Sequence, residues 1–158
     1  MADTWGPNRP VPRLLASLPC EDVSTSVGLG DDRISLQRVF FVLYADEFPA
    51  AYDRLVVANL WIGGEGAYKE TVRVVAPDGT VVAQGEAELN AQPNGAQVPQ
   101  VPITMNQLCY FPALVLPEAG EYTVELAIDE AVVHTYALHV VALQGAGEEE
   151  QGGSDQQE

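Results

Sequence analysis

Apolar and polar residues alternate with a period of two over much of the chain, and Gly, Pro, Asp and Asn interrupt the pattern at short intervals. It is sharpest where Tyr122, Val124, Leu126 and Ile128 share one face against Glu121, Thr123 and Glu125 on the other. A half-buried strand produces this spacing, because successive side chains point to opposite sides of a sheet. Tyr68, Val72 and Val74 alternate in the same way with Lys69, Thr71 and Arg73. Seven or eight strands are predicted: Arg13 to Leu18 with a continuation toward Val23, Ile34 to Ala45, Leu55 to Ile62, Tyr68 to Ala76, Val81 to Leu89, Ile103 to Tyr110, Ala113 or Gly120 to Ile128, and Val132 to Val141. Between Ile34 and Tyr44 the apolar phase slips near Arg38-Val39-Phe40-Phe41, as in a central strand covered on both faces or one bent by a β-bulge. Asp46 to Arg54 has room for one helical turn, and helix is otherwise expected to be scarce.

The breaks have turn chemistry of their own. Pro77-Asp78-Gly79 presets one φ with proline and supplies a glycine that tolerates positive φ, so it should close a hairpin. Asp129-Glu130 fits a two-residue connection between the last two strands, and Gly63-Gly64-Glu65-Gly66 reads as a further hairpin connection. Residues 90 to 102 hold Pro93, Pro99 and Pro102, as expected where a chain crosses from one sheet to another or returns over the end of a sandwich. Many short strands of this kind predict an all-β, antiparallel two-sheet β-sandwich of immunoglobulin-like type.

Three segments follow from composition. Residues 1 to 12, with Gly6, Pro7, Pro10 and Pro12, form an extended Pro-rich arm; 13 to 143 form the sandwich domain; 144 to 158, rich in Gly, Glu and Gln, form a disordered acidic tail. A length of 158 residues, 47% apolar, suffices for one core without metal or disulfide staples. Cys20 and Cys109 are therefore expected to be free.

Charge narrows the function. Seven basic residues against twenty-three acidic ones give a net charge of −16, and five of the negatives lie at Glu148, Glu149, Glu150, Asp155 and Glu158. Nucleic acid and anionic membranes are both disfavoured, since each is held by Lys and Arg. A basic protein surface, a cation or a neutral ligand suits such a body better. No apolar run approaches the ~20 residues of a membrane span, and the first ten residues lack the pattern of a secretory signal, so a cytoplasmic address is expected.

Catalytic groupings are weak. His134 and His139 are five apart, so on one strand they face opposite ways and do not share a metal. His134 falls in the row of Tyr136, Leu138 and Val140, and one of the two is expected to be partly covered. Neither Cys20 nor Cys109 sits at a helix N-terminus or in a basic pocket that would make a nucleophilic thiolate. Trp61 is expected to fill core rather than to stack on a sugar, and Trp5 and Tyr110-Phe111 are the other prominent aromatics. The acidic pairs Asp31-Asp32, Asp46-Glu47 and Asp129-Glu130 lie at strand ends and together could gather a Ca²⁺ site, which wants six to eight oxygens. A hydrolase would need two of these acids facing each other across a concave pocket. No catalytic, cofactor-binding or metal residue is assigned.

The segment Pro117-Glu118-Ala119-Gly120-Glu121-Tyr122 resembles the lead-in to a late strand of immunoglobulin-like sandwiches, where a tyrosine caps the corner. More broadly, Leu14 to Val23 with Cys20-Glu21-Asp22, Ile34-Ser35-Leu36, Phe48-Pro49, Val56 to Trp61 followed by Gly63-Gly64-Glu65-Gly66, Pro77-Asp78-Gly79 and Gly120-Glu121-Tyr122 resemble a family of short uncharacterised bacterial proteins, the DUF6941 type. The resemblance spans roughly 13 to 141 and implies a bacterial sandwich domain with no known activity and no functional residues to carry over. The expectation is a non-enzymatic interaction or accessory module, binding protein at a basic surface or by strand addition. The alternative is a small-ligand or Ca²⁺-binding module that uses the acidic loops.

Overall fold

The computed structural model describes residues 9–25, 33–91 and 102–143. Ten strands make up the described body: β1 (Arg13–Cys20), β2 (Asp22–Thr25), β3 (Ile34–Gln37), β4 (Val42–Ala45), β5 (Ala50–Ile62), β6 (Gly66–Val75), β7 (Val81–Ala91), β8 (Thr104–Leu116), β9 (Gly120–Ile128) and β10 (Ala131–Ala142). They form a five-stranded sheet in the order β4-β10-β9-β6-β7, a three-stranded sheet in the order β1-β5-β8, and a two-stranded ribbon of β2 and β3. The all-β class holds. The arrangement is nevertheless not the predicted pair of sheets, and β4 runs parallel to β10, so the fold is not wholly antiparallel.

The phase slip marks the main departure. Ile34 to Ala45 is two strands, with Arg38 at φ +57 between them. After Arg38 the chain leaves its antiparallel pairing with β2 and joins a different sheet. On the way Phe40 N donates to Pro19 O and His139 N to Phe41 O. Each change of sheet changes which face meets the core, so the apolar phase shifts there. The predicted continuation of the first strand toward Val23 is likewise a separate strand, and Asp46 to Arg54 is a bend over Asp46 to Pro49, with a cis Phe48-Pro49 bond, followed by the start of β5, rather than a helical turn.

The two hairpins read from turn chemistry are present. In the β6–β7 turn Gly79 has φ +93 and donates to Ala76 O, while Asp78 Oδ1 accepts from Thr80 N. Asp129 and Glu130 both take positive φ, +49 and +74, the type I′ signature of a tight hairpin. Gly63 to Gly66 does not close a hairpin, because β5 pairs with β1 and β8 whereas β6 pairs with β7 and β9. It carries the chain from the three-stranded to the five-stranded sheet. The segment between β7 and β8 also changes sheet, as predicted, although residues 92–101 lie outside the described residues.

The inner faces of the two larger sheets enclose two apolar clusters. One gathers Leu55, Val57, Val72, Val74, Phe111, Leu116, Tyr122, Val124, Leu126 and Leu138; the other gathers Trp61, Tyr68, Leu89, Met105 and Ile128 near the β9–β10 turn. At the far end of β9, Tyr122 Oη donates to Glu118 O at 2.6 Å, so the tyrosine does cap the corner. Of the predicted arm, residues 9–12 are described. The Arg9 guanidinium lies 3.7 Å from the centre of the Tyr68 ring and pairs with Asp129 at 2.8 Å, and the Tyr68 hydroxyl donates to Pro10 O. Residues 1–8, with Trp5, and the predicted tail from 144 onward lie outside the described residues.

Candidate functional site

The two clusters are separated by a polar layer. Along β6 the core-facing row runs Tyr68, Glu70, Val72, Val74; along β5 it runs Leu55, Val57, Asn59, Trp61. Glu70 and Asn59 thus sit at neighbouring levels of facing sheets, each between apolar residues, and are 1% and 0% exposed. Trp61 Nε1 donates to Glu70 Oε2 at 2.6 Å and Asn59 Nδ2 donates to the same oxygen at 3.2 Å. Ser17 Oγ donates to Asn59 Oδ1 at 2.5 Å and is hydrogen-bonded to the Tyr136 hydroxyl at 3.2 Å. The chain Trp61–Glu70–Asn59–Ser17–Tyr136 ties four strands of the two sheets together through one buried carboxyl.

A carboxylate taken out of water without a cation is costly, so its proton is held more tightly. Burial raises the Glu70 pKa above the ordinary carboxylate value, against the opposing pull of the donors from Trp61 and Asn59. The same burial pushes Tyr136 up to about 12, partly countered by Ser17. Cys109, on the neighbouring stretch of β8, is also pushed up to about 12 by burial and then by the nearby Glu70 charge.

Beside Glu70 is a cavity of about 180 Å³ lined by Glu70, by residues 85 to 87 of β7 and by residues 107 to 110 of β8. Its cause is local. β7 is an edge of one sheet and β8 an edge of the other, and the two run side by side without forming a ladder. On β7 the positions opposite Val72 and Glu70 are Gly85 and Ala87, so little side chain fills the space. A Cβ at Gly85 would stand 2.5 Å from Cys109 Sγ, closer than such atoms come, so only glycine lets the strands approach as they do.

Glu70 was missed by the alternation argument, which passed from Tyr68 to Val72. Its parity is the available signal: position 70 belongs to the apolar row, and an acid there is either buried or disrupts the strand. Asn59, in the otherwise apolar run of β5, carries the same signal.

The residues singled out earlier do not converge. His134 and His139 oppose Leu126 and Glu121 in continuous register, so they point to opposite faces. Both are exposed, and neither is partly covered as expected, because His134 lies beyond the covered part of the inner row that begins at Tyr136. Cys20 and Cys109 are free, the first buried and the second half-buried. Burial raises the Cys20 pKa, against a backbone hydrogen bond from Asp22 that lowers it, and the Asp22 charge adds a smaller rise. Trp61 is core, as expected, but its indole N–H has a specific acceptor.

Of the acidic pairs, Asp31-Asp32 lies outside the described residues. Asp46-Glu47 follows β4 and Asp129-Glu130 precedes β10, which places them at opposite ends of the twelve-residue β10, about 40 Å apart at ~3.3 Å per residue. They do not form one loop cluster. Asp129 is already engaged, its Oδ1 accepting from Lys69 N and its Oδ2 paired with Arg9. Among the described residues no group of three or more His, Cys, Asp or Glu is placed to hold a metal ion. A larger open groove of about 590 Å³ lies beside the β2–β3 ribbon, where Arg38 pairs with Glu21 at 3.3 Å and Arg54 with Asp22 at 3.0 Å. Both arginines that line it are thus paired with acids of the same groove.

The outer face of the five-stranded sheet carries the third feature. β4 ends that sheet, and Val42 and Tyr44 on it are 37% and 60% exposed beside Val141 at 40%. Phe41 and Leu143 extend this apolar strip along the edge.

These observations define an all-β domain built on two facing sheets joined by a buried polar chain. The chain belongs to a family of unknown function, DUF6941, whose model matches residues 16–141. A search of curated proteins found no match, and a search of solved structures found none. Among the described residues no helix is long and apolar enough to cross a membrane.

Proposed function

We propose that this is a non-enzymatic domain that acts through contact with another protein, taken up as an added strand along β4. The observation that carries this reading is the apolar strip at a sheet edge: Val42 and Tyr44 stand exposed on a strand whose outer row of backbone N–H and C=O groups has no strand partner among the described residues. Such an edge is a template for an extended peptide, with main-chain bonds supplying affinity and the flanking side chains selecting alternate residues. The net charge of −16 favours a basic partner. The raised pKa values of Cys20 and Cys109 fit the non-enzymatic part, since a thiol that keeps its proton is a poor nucleophile.

Panning a random-peptide library against the domain tests the reading. Selected peptides should be basic, should alternate apolar residues, and should lose binding to Val42→Lys and Tyr44→Lys, both surface changes that leave the core intact. Selection of no peptide that depends on these two positions would refute it.

A further inference from the structure

We propose that the cavity between β7 and β8 is a binding site for a primary alkylammonium group, held against the Glu70 carboxyl. Glu70 is 1% exposed, and its two hydrogen bonds come from neutral donors, an indole and an amide, both on Oε2. The ion pairs of Arg9, Arg38, Arg54 and Lys69 go to Asp129, Glu21, Asp22 and Glu86, so none of these four is made with Glu70. Among the described residues the Glu70 carboxyl enters none of these ion pairs, and it borders a cavity with one oxygen already doubly occupied.

The geometry selects the ligand class. An anion is repelled by Glu70. A hard divalent cation wants six or more oxygens, and among the described residues no group of three or more His, Cys, Asp or Glu is placed to hold a metal ion. A guanidinium gains its advantage from a two-pronged bond to both carboxylate oxygens, and Oε2 is taken. An ammonium is a compact point donor that needs one oxygen and spreads its other N–H groups over nearby acceptors. The edge strands β7 and β8 provide such acceptors, since each has a row of backbone groups unused within its own sheet. The volume of about 180 Å³ equals roughly six water molecules at ~30 Å³ each, which suits an ammonium on a stem of three or four carbons. Leu108 and Tyr110 in its lining offer apolar surface to that stem. Gly85 sets how closely β7 and β8 approach at the cavity, because a Cβ there would stand 2.5 Å from Cys109 Sγ and something would have to shift. Occupancy of this cavity is independent of what binds along β4.

The Trp61 indole N–H reports on the site directly, through its 2.6 Å bond to Glu70. The chain has two tryptophans, so Trp5→Phe leaves a single indole signal in a nitrogen-15 NMR spectrum. Titration of this protein with n-propylammonium chloride at constant ionic strength should move that signal saturably, and tetramethylammonium or n-propanol should not. Glu70→Gln should weaken the response at least tenfold, and Gly85→Ala should do the same by crowding the cavity. N-acetyl-lysine amide distinguishes the source: a matching saturable shift assigns the pocket to a lysine side chain of a partner, and a response to the free amine alone assigns it to a small metabolite amine. Absence of a saturable shift with either ligand, an equal shift with tetramethylammonium, or an undiminished shift in a cooperatively folding Glu70→Gln variant overturns the proposal. If that variant does not fold, the contrast between propylammonium and tetramethylammonium in the parent protein still decides.

Discussion

Replacing Glu70 by glutamine keeps the shape of the side chain and both accepted hydrogen bonds while removing the titratable proton. In the folded chain burial holds the Glu70 pKa above its ordinary 4.5, while Trp61 and Asn59 pull it down by less. The native state therefore keeps a proton over a pH range in which the unfolded chain has released it. The stabilisation tied to that proton is complete below pH 4.5 and is lost as pH rises through the folded-state pKa. Relative to the parent, Glu70→Gln should thus gain stability with rising pH, by at most about 1.4 kcal/mol per pH unit, and level off once the native carboxyl has ionised. The buried neighbours do not confuse the window, since Cys109 and Tyr136 titrate near 12. Glu70→Ala should act with the opposite sign, because it strands the Trp61 and Asn59 donors; at roughly 1–3 kcal/mol for each unsatisfied buried group, with some relief from water in the adjoining cavity, the net loss is about 2–4 kcal/mol. Urea unfolding followed by indole fluorescence from pH 4.5 to neutrality gives both differences. A constant offset between Glu70→Gln and the parent across that range would refute the argument, as would a variant that loses ground as pH rises.

Two further outcomes are expected. Glu130 sits at φ +74 in the β9–β10 turn, a conformation that costs a non-glycine residue about 1–2 kcal/mol, so Glu130→Gly should raise stability by about 0.5–1 kcal/mol after the added freedom of the unfolded chain is subtracted. A lower melting temperature for this variant would contradict the turn assignment. Tyr122→Phe removes the hydroxyl bond to Glu118 O while keeping the ring in the core, and should cost about 1 kcal/mol in chemical denaturation; no measurable loss would mean the corner is held by packing alone.

Much of the local structure is legible in residue order. The alternation at Tyr122 to Ile128 and the Pro77-Asp78-Gly79 turn predict strands and a hairpin that are there, because period and φ preference depend on near neighbours alone. Parity also separates His134 from His139 without any coordinates. Glu70 was legible in principle from its place in the Tyr68–Val72 row. What could not be read was its partner, since Trp61 and Asn59 reach it from β5 in the facing sheet.

Residue order by itself determined that this chain folds as strands and where most of them turn. Tertiary structure alone decided which strands share a sheet. It sent β4 to lie parallel to β10, made Gly63 to Gly66 a crossing between sheets, and set Gly85 against Cys109 to leave a cavity over Glu70. The physical reason is that side-chain alternation specifies which way each residue points but not which strand lies beside it. Pairing is settled by how two inner faces fill the space between them, and that depends on residues far apart in the chain.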